Sequence, residues 1–338
     1  NPFAGLINDI HAKRKPYNLV RTTFDDALAD GLYRRICFVS GKEWTPAAEA
    51  EWRKGIVALY GEGADEELFC IPRAGSGVFL PSVLVESRMI DVPVLRWHPN
   101  DAFAQAPDHL READALDWCE QNLKPLLEAL DRNLRSGYGF DFGRTGDLSV
   151  LWPFQVMPNL VRRPPFLLEM RNVPFRQQEQ LHNYVVDRLP RFQFGALDAR
   201  GNGQYMAERA MQRYGSGRIA QVMLSVEWYR ENMPVYKAAI EDALWQIPRH
   251  ADVLTDHRAI VMERGVAQVP ASYRGKGSDG GQRHGDSAIA GALANFASRQ
   301  EGAEFGYTPV PRSRPFDEGG AHDRDRDSGS LRGTRGTY

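Results

Sequence analysis

With 338 residues, 42% hydrophobic and 25% charged, the chain is long enough for one large domain or two modest ones, with an ordinary globular composition. A formal net charge of −2 excludes a globally basic nucleic-acid binder, so any affinity for DNA must come from local clusters of arginine. No apolar run reaches the ~20 residues that span a bilayer, and three scattered cysteines, Cys37, Cys70 and Cys119, argue against a zinc site or a disulfide framework.

The chain opens at Asn1-Pro2-Phe3 without an initiator methionine or a basic-then-apolar leader, which reads as a fragment or a processed product. Residues 1–90 mix short amphipathic helices (3–13 and 24–32) with a brief strand at Arg35–Val39. A helix from Thr45 to about Tyr60 is signalled by a capping threonine followed by proline. Apolar recurrence from Leu110 to Leu130 predicts a long helix over 107–135, kinked at Pro125, that links two lobes. From Gly137 the pattern changes. Strands are expected at 138–142, 148–156, 166–173, 192–197 and 219–224. Helices follow Pro174, span 205–214 with Gly215 as C-cap, and recur around 235–245. Three strands joined by short turns, then α-β-α-β, describe a mixed sheet with helices on both faces. "YRGKGSDGGQRHGD" (273–286) reads as a mobile glycine-rich segment, and "DSAIAGALANFASR" as a closing helix. The charged tail, 306–338, has too little apolar surface to fold alone.

The chemistry concentrates in "YGFDFGRTGDLSVLWPF" (138–154). Asp141-Phe142-Gly143 spells a kinase triplet, but the glycine-rich loop, strand lysine and H-R-D motif that must accompany it are absent. Asp141-x-Gly143-x-Thr145 also fits an actin-like phosphate loop, which would need a second Asp-Gly hairpin. Asp198 in "GALDARGNG" precedes a helix instead. The third possibility is an RNase H-like sheet in which Asp141 closes strand one, Asp198 closes strand four and Asp286 opens the last helix. Three carboxylates converging from distant positions repel one another. Two Mg²⁺ or Mn²⁺ ions about 3.5–4 Å apart would relieve that repulsion and carry phosphodiester hydrolysis. Asp147 and His284 are further candidate ligands, and Glu169 reads as a structural acid paired with Arg171 or Arg163. Arg144, Arg200, Lys276 and Arg283 flank the carboxylates and are candidate phosphate contacts.

At "GFDFGRTGDLSVLWP", "GALDARGNGQYMAERA" and "RHGDSAIAGALA", in that order, the chain resembles the nuclease domain of tailed-phage large terminase subunits of the Mu-like type. The resemblance covers 137–300 well. It implies an RNase H-like nuclease domain over 137–305, preceded by the tail end of a P-loop ATPase-type domain (1–90) and a linker with its long helix (91–136), and followed by the flexible tail. No G-x-x-x-x-G-K-[ST] motif occurs, so an ATP site and ATPase activity are not expected of this chain. The family implies a full-length packaging motor that cuts double-stranded DNA, with a small terminase subunit and the portal as partners, in the cytoplasm of an infected or lysogenic bacterium. Another RNase H-like nuclease, such as a junction resolvase, and a non-catalytic capsid or portal docking module are the alternatives.

Overall fold

The computed structural model describes residues 7–302 apart from 8, 72–77 and 144–147. The tail at 306–338, Arg144 and Asp147 therefore lie outside the described residues, as do residues 3–6 and 8 of the first expected helix.

Near the N-terminus, α1 (Phe24–Ala29) is closed by a Thr23 capping box, and α2 spans Leu32–Ser40. The strand expected at 35–39 is thus helical. Gly31 and Gly41, both left-handed, bracket nine residues, and Phe38 and Val39 stay exposed rather than pairing in a sheet. α3 (Pro46–Tyr60) starts as expected, with Thr45 accepting the Ala48 N–H and proline in the first turn.

Among the described residues, seven strands form the main sheet: β1 (Val94–Trp97), β2 (Ser136–Asp141), β3 (Leu148–Val156), β4 (Arg162–Arg163), β5 (Leu167–Arg171), β6 (Phe192–Asp198) and β7 (Ile219–Val222). Their order is β1-β5-β3-β2-β6-β7, with β4 added to β3. β2, β3 and β5 make an antiparallel meander, whereas β6 and β7 continue parallel to β2. The fourth principal strand lies beside the first, so the sheet is RNase H-like, as expected from the sequence. β1 was not expected. It comes from the supposed linker and pairs in parallel with β5, extending the sheet by one edge strand. Phe79, Leu80, Val85 and Met89 also enter the sheet's core, so structure crosses the boundary drawn at residue 90.

The long helix expected over 107–135 is two helices, α4 (Asp108–Asn122) and α5 (Lys124–Glu128). Pro125 has no N–H to bond back, so the first helix stops one turn early. Both pack with α6 (Phe175–Val186) and α7 (Gly203–Tyr214) on one face, around Phe140, Leu151, Leu168, Leu181 and Leu197. The other face carries α8 (Val226–Glu241), α9 (Ala251–Arg258) and α10 (Asp286–Ser298), around Trp152, Tyr236, Trp245 and the small residues of α10. Gly139 explains why α10 is so rich in alanine. A Cβ there would meet the Ala294 backbone nitrogen at 2.2 Å, so the helix lies directly on β2. The glycine-rich segment before α10 is not featureless: β8 (Gly275–Lys276) and β9 (Gln282–Arg283) pair in a short hairpin. Asp252 of α9 clasps it by accepting the Ser278 N–H (3.0 Å) and hydroxyl (2.8 Å).

Candidate functional site

The register of the sheet builds the site. Arg96, Glu169, Val150 and Asp141 are opposite one another across β1, β5, β3 and β2. Phe140 pairs with Leu197, so Asp141 and Asp198 follow side by side at the ends of β2 and β6. Because side chains alternate along a strand, Asp141 shares the face of Gly139, the one covered by α10. Asp286 is the first residue of that helix, after Gly285 in the left-handed region. Of the three carboxylates expected to converge, Asp198 and Asp286 are buried, each 6% exposed, and Asp141 is partly buried at the end of its strand.

Their proton affinities record the crowding. Burial first, and then the charges of Asp286 and Asp198, push the Asp141 carboxyl well above the usual carboxylate range. Burial and the nearby Asp256 raise Asp286 to about 7, although it accepts the His284 backbone N–H at 2.9 Å. Asp198 is raised by burial, while Arg200 opposes the shift. That arginine contributes its backbone N–H (3.0 Å) and its Nε (3.3 Å) to Asp198 Oδ1. Tyr229, in the first turn of α8, completes the wall; burial pushes its hydroxyl to about 12, with Asp141 and Asp198 adding to the shift. The loop leaving Asp141 is pinned at Gly143, whose N–H donates to Ser149 Oγ (2.9 Å) and whose carbonyl accepts from it (3.0 Å).

Among the described residues, no three side chains of His, Cys, Asp or Glu form a ready-made metal-ligand group. In kind, however, the donors suit a hard divalent cation. They are carboxylate oxygens, buried in Asp198 and Asp286 and partly buried in Asp141, and Asp141 is opposed by both of its neighbours.

The flanking residues divide. Arg200 is half-exposed beside Asp198, and Lys276 is exposed on the hairpin. His284 contributes its backbone to Asp286. Arg283 is corrected: it is 1% exposed and locked between Glu169 Oε1 (2.7 Å) and Asp256 Oδ2 (2.7 Å), so it cannot present its guanidinium to a phosphate. Glu169 is a structural acid, as expected, but its partners are Arg96 (2.8 Å) and Arg283 rather than Arg171 or Arg163. Asp256 and Tyr229 escaped sequence reasoning. The available signal for Asp256 was an acid on the stripe of α9 that also carries buried Val253 and His257.

Over 330 residues, 96% of its length, the chain is 40% identical to the probable terminase large subunit gp28 of Escherichia phage Mu. In sequence it is similar to Mu-like large terminase subunits. The gp28 protein of the Mu-like prophage FluMu of Haemophilus influenzae is 39% identical over 314 residues. The chain spans 60% of the Mu terminase subunit and 61% of its FluMu counterpart. No family model matches. Among solved structures, the magnesium-bound large terminase nuclease of thermophilic phage G20c is similar at a TM-score of 0.42 and 15% identity, covering 66% of this chain and 98% of that one. Among the described residues, no helix of this chain is long and apolar enough to cross a membrane.

Proposed function

We propose that residues 137–305 form a metal-dependent endonuclease domain that cuts double-stranded DNA during viral genome packaging, with Asp141, Asp198 and Asp286 as its catalytic residues. The observation that carries this reading is the gathering of three carboxylates, two buried and one partly buried, where β2, β6 and the start of α10 meet, with Asp141 opposed by the charges of both others. A soluble domain does not gather uncompensated acids in its interior without a use for them. Asp141, Asp198 and Asp286 would hold two Mg²⁺ or Mn²⁺ ions, with Asp147 and His284 as further candidates. Such ions supply an activated water and charge stabilisation at the leaving oxygen of a phosphodiester. The chain's own residues do the rest. The sheet fixes Asp141 and Asp198 side by side, and α10 brings Asp286 over them. Arg200, held by Asp198 yet half-exposed, is placed to take a DNA phosphate, and Lys276 is a more distant candidate. Arg144 completes the proposed DNA contacts.

The wider role follows the same proposal. In the full-length protein, residues 1–90 would continue an ATP-driven motor domain, 91–136 would join it to the nuclease, and 306–338 would be a flexible tail. The small terminase subunit and the portal would be its partners in the host cytoplasm. ATP hydrolysis is not proposed for this chain, whose sequence has no Walker motif. The test is plasmid nicking across Mg²⁺ and Mn²⁺. Asp198→Asn should abolish cutting while thermal unfolding is retained, and continued cutting by that variant would refute the assignment. Preference for branched over linear DNA would instead indicate a junction resolvase. Absence of divalent-metal binding in calorimetry would indicate a docking module.

A further inference from the structure

Beside the three carboxylates lies another, buried acid, Asp256 of α9, which the chemistry above does not use. It is fully buried, and two segments that bracket Asp286 both hold onto it. On one side, Arg283 directs Nε (3.1 Å) and Nη2 (2.7 Å) at its carboxylate. On the other, Ser287 donates its backbone N–H (3.0 Å) and its hydroxyl (2.6 Å) to Asp256 Oδ2. The residues between, His284, Gly285 and Asp286, are therefore strung between two anchors on a single side chain. Gly285 stands at the N-cap of α10 and has no side chain with which to cap it, so Asp256 performs that task from another helix. Arg283 then ties Asp256 to Glu169, which sits in the same cross-strand row as Asp141.

We propose that Asp256 is a positioning residue for the active site: with Arg283 and Glu169 it sets the place of the Asp286 carboxylate relative to Asp141. The proposal rests on the nuclease reading of that site. Asp256 touches neither substrate nor cation; it acts through Ser287 and Arg283. Partners of this kind around metal ligands are worth about 10–100-fold in affinity or activity.

The experiment compares the whole chain with Asp256→Asn, Ser287→Ala and Leu181→Ala, the last a buried change on the opposite face of the sheet. Mn²⁺ affinity is read by calorimetry, and kcat and KM by plasmid nicking, well below each unfolding midpoint. Asp256→Asn should weaken Mn²⁺ binding and lower kcat by about 10–100-fold, with KM for DNA unchanged. Ser287→Ala should move both several-fold in the same direction, and Leu181→Ala should lose stability without moving either. A folded Asp256→Asn protein with wild-type affinity and kcat overturns the proposal. If that variant does not fold, Ser287→Ala decides by the same criterion. A wild-type chain that neither binds Mn²⁺ nor nicks DNA defeats the nuclease reading alone. The positioning claim is then read from amide exchange, which Asp256→Asn should accelerate at 284–288 and which, if unchanged there, overturns it.

Discussion

Two groups of acids meet at the N-terminus of α10, and they are treated oppositely. Glu169, Asp252 and Asp256 are interleaved with Arg96 and Arg283, every carboxylate facing a guanidinium. Among the described residues, the salt bridge of Arg200 to Asp198 is the only one made by Asp141, Asp198 or Asp286. The consequence appears in their titration. The hydrogen bonds of Ser278 and Arg96 hold Asp252 below the usual carboxylate range against the cost of burial, whereas Asp141 and Asp286 are driven up. Charge that is neutralised inside the protein holds elements together. Charge left uncompensated is available to a cation from outside.

The largest expected effect breaks the first group. Arg283→Met leaves Glu169 and Asp256 buried beside each other without their shared cation, and should cost about 3–5 kcal/mol in urea unfolding. A loss below about 1 kcal/mol would mean that the network carries little of the fold. The second prediction concerns pH in the presence of chelator. Asp286 titrates at about 7 in the folded chain against an ordinary value of 3.8. The stability tied to its protonation is therefore full below about pH 4 and disappears as pH rises through about 7. Asp286→Asn should raise the unfolding midpoint by several degrees at pH 8 and leave it nearly unchanged at pH 4. A variant less stable at pH 8 would contradict this sign. The smallest effect concerns the loop after Asp141. Ser149→Ala removes both bonds to Gly143 and should cost about 1–2 kcal/mol in urea unfolding; no measurable change would show that water replaces them.

The contrast between the two groups also explains what could be read in advance. β3 was found to its exact ends because turn residues bracket a long apolar run, and Asp198 stood out because a buried strand ends on it before a glycine-rich turn. The acids of the site were legible for the same reason: each closes or opens an element. β1 was missed since "VLRW" is four residues with an arginine among them, and its partner β5 is remote in sequence. Arg283 was misread because polar glycine-rich surroundings suggest solvent, while its real partners, Glu169 and Asp256, lie 114 and 27 residues away. Compensated charge depends on long-range pairing, which a local pattern does not record.

The central claim is that the uncompensated acids hold divalent cations for phosphodiester cleavage. Its most direct test is a calorimetric titration of Mn²⁺ into the chain and into Asp141→Asn at pH 8. Saturable binding by the wild type, lost or weakened at least about tenfold in a variant that stays folded, is the result expected. Equal binding by both proteins would contradict the account.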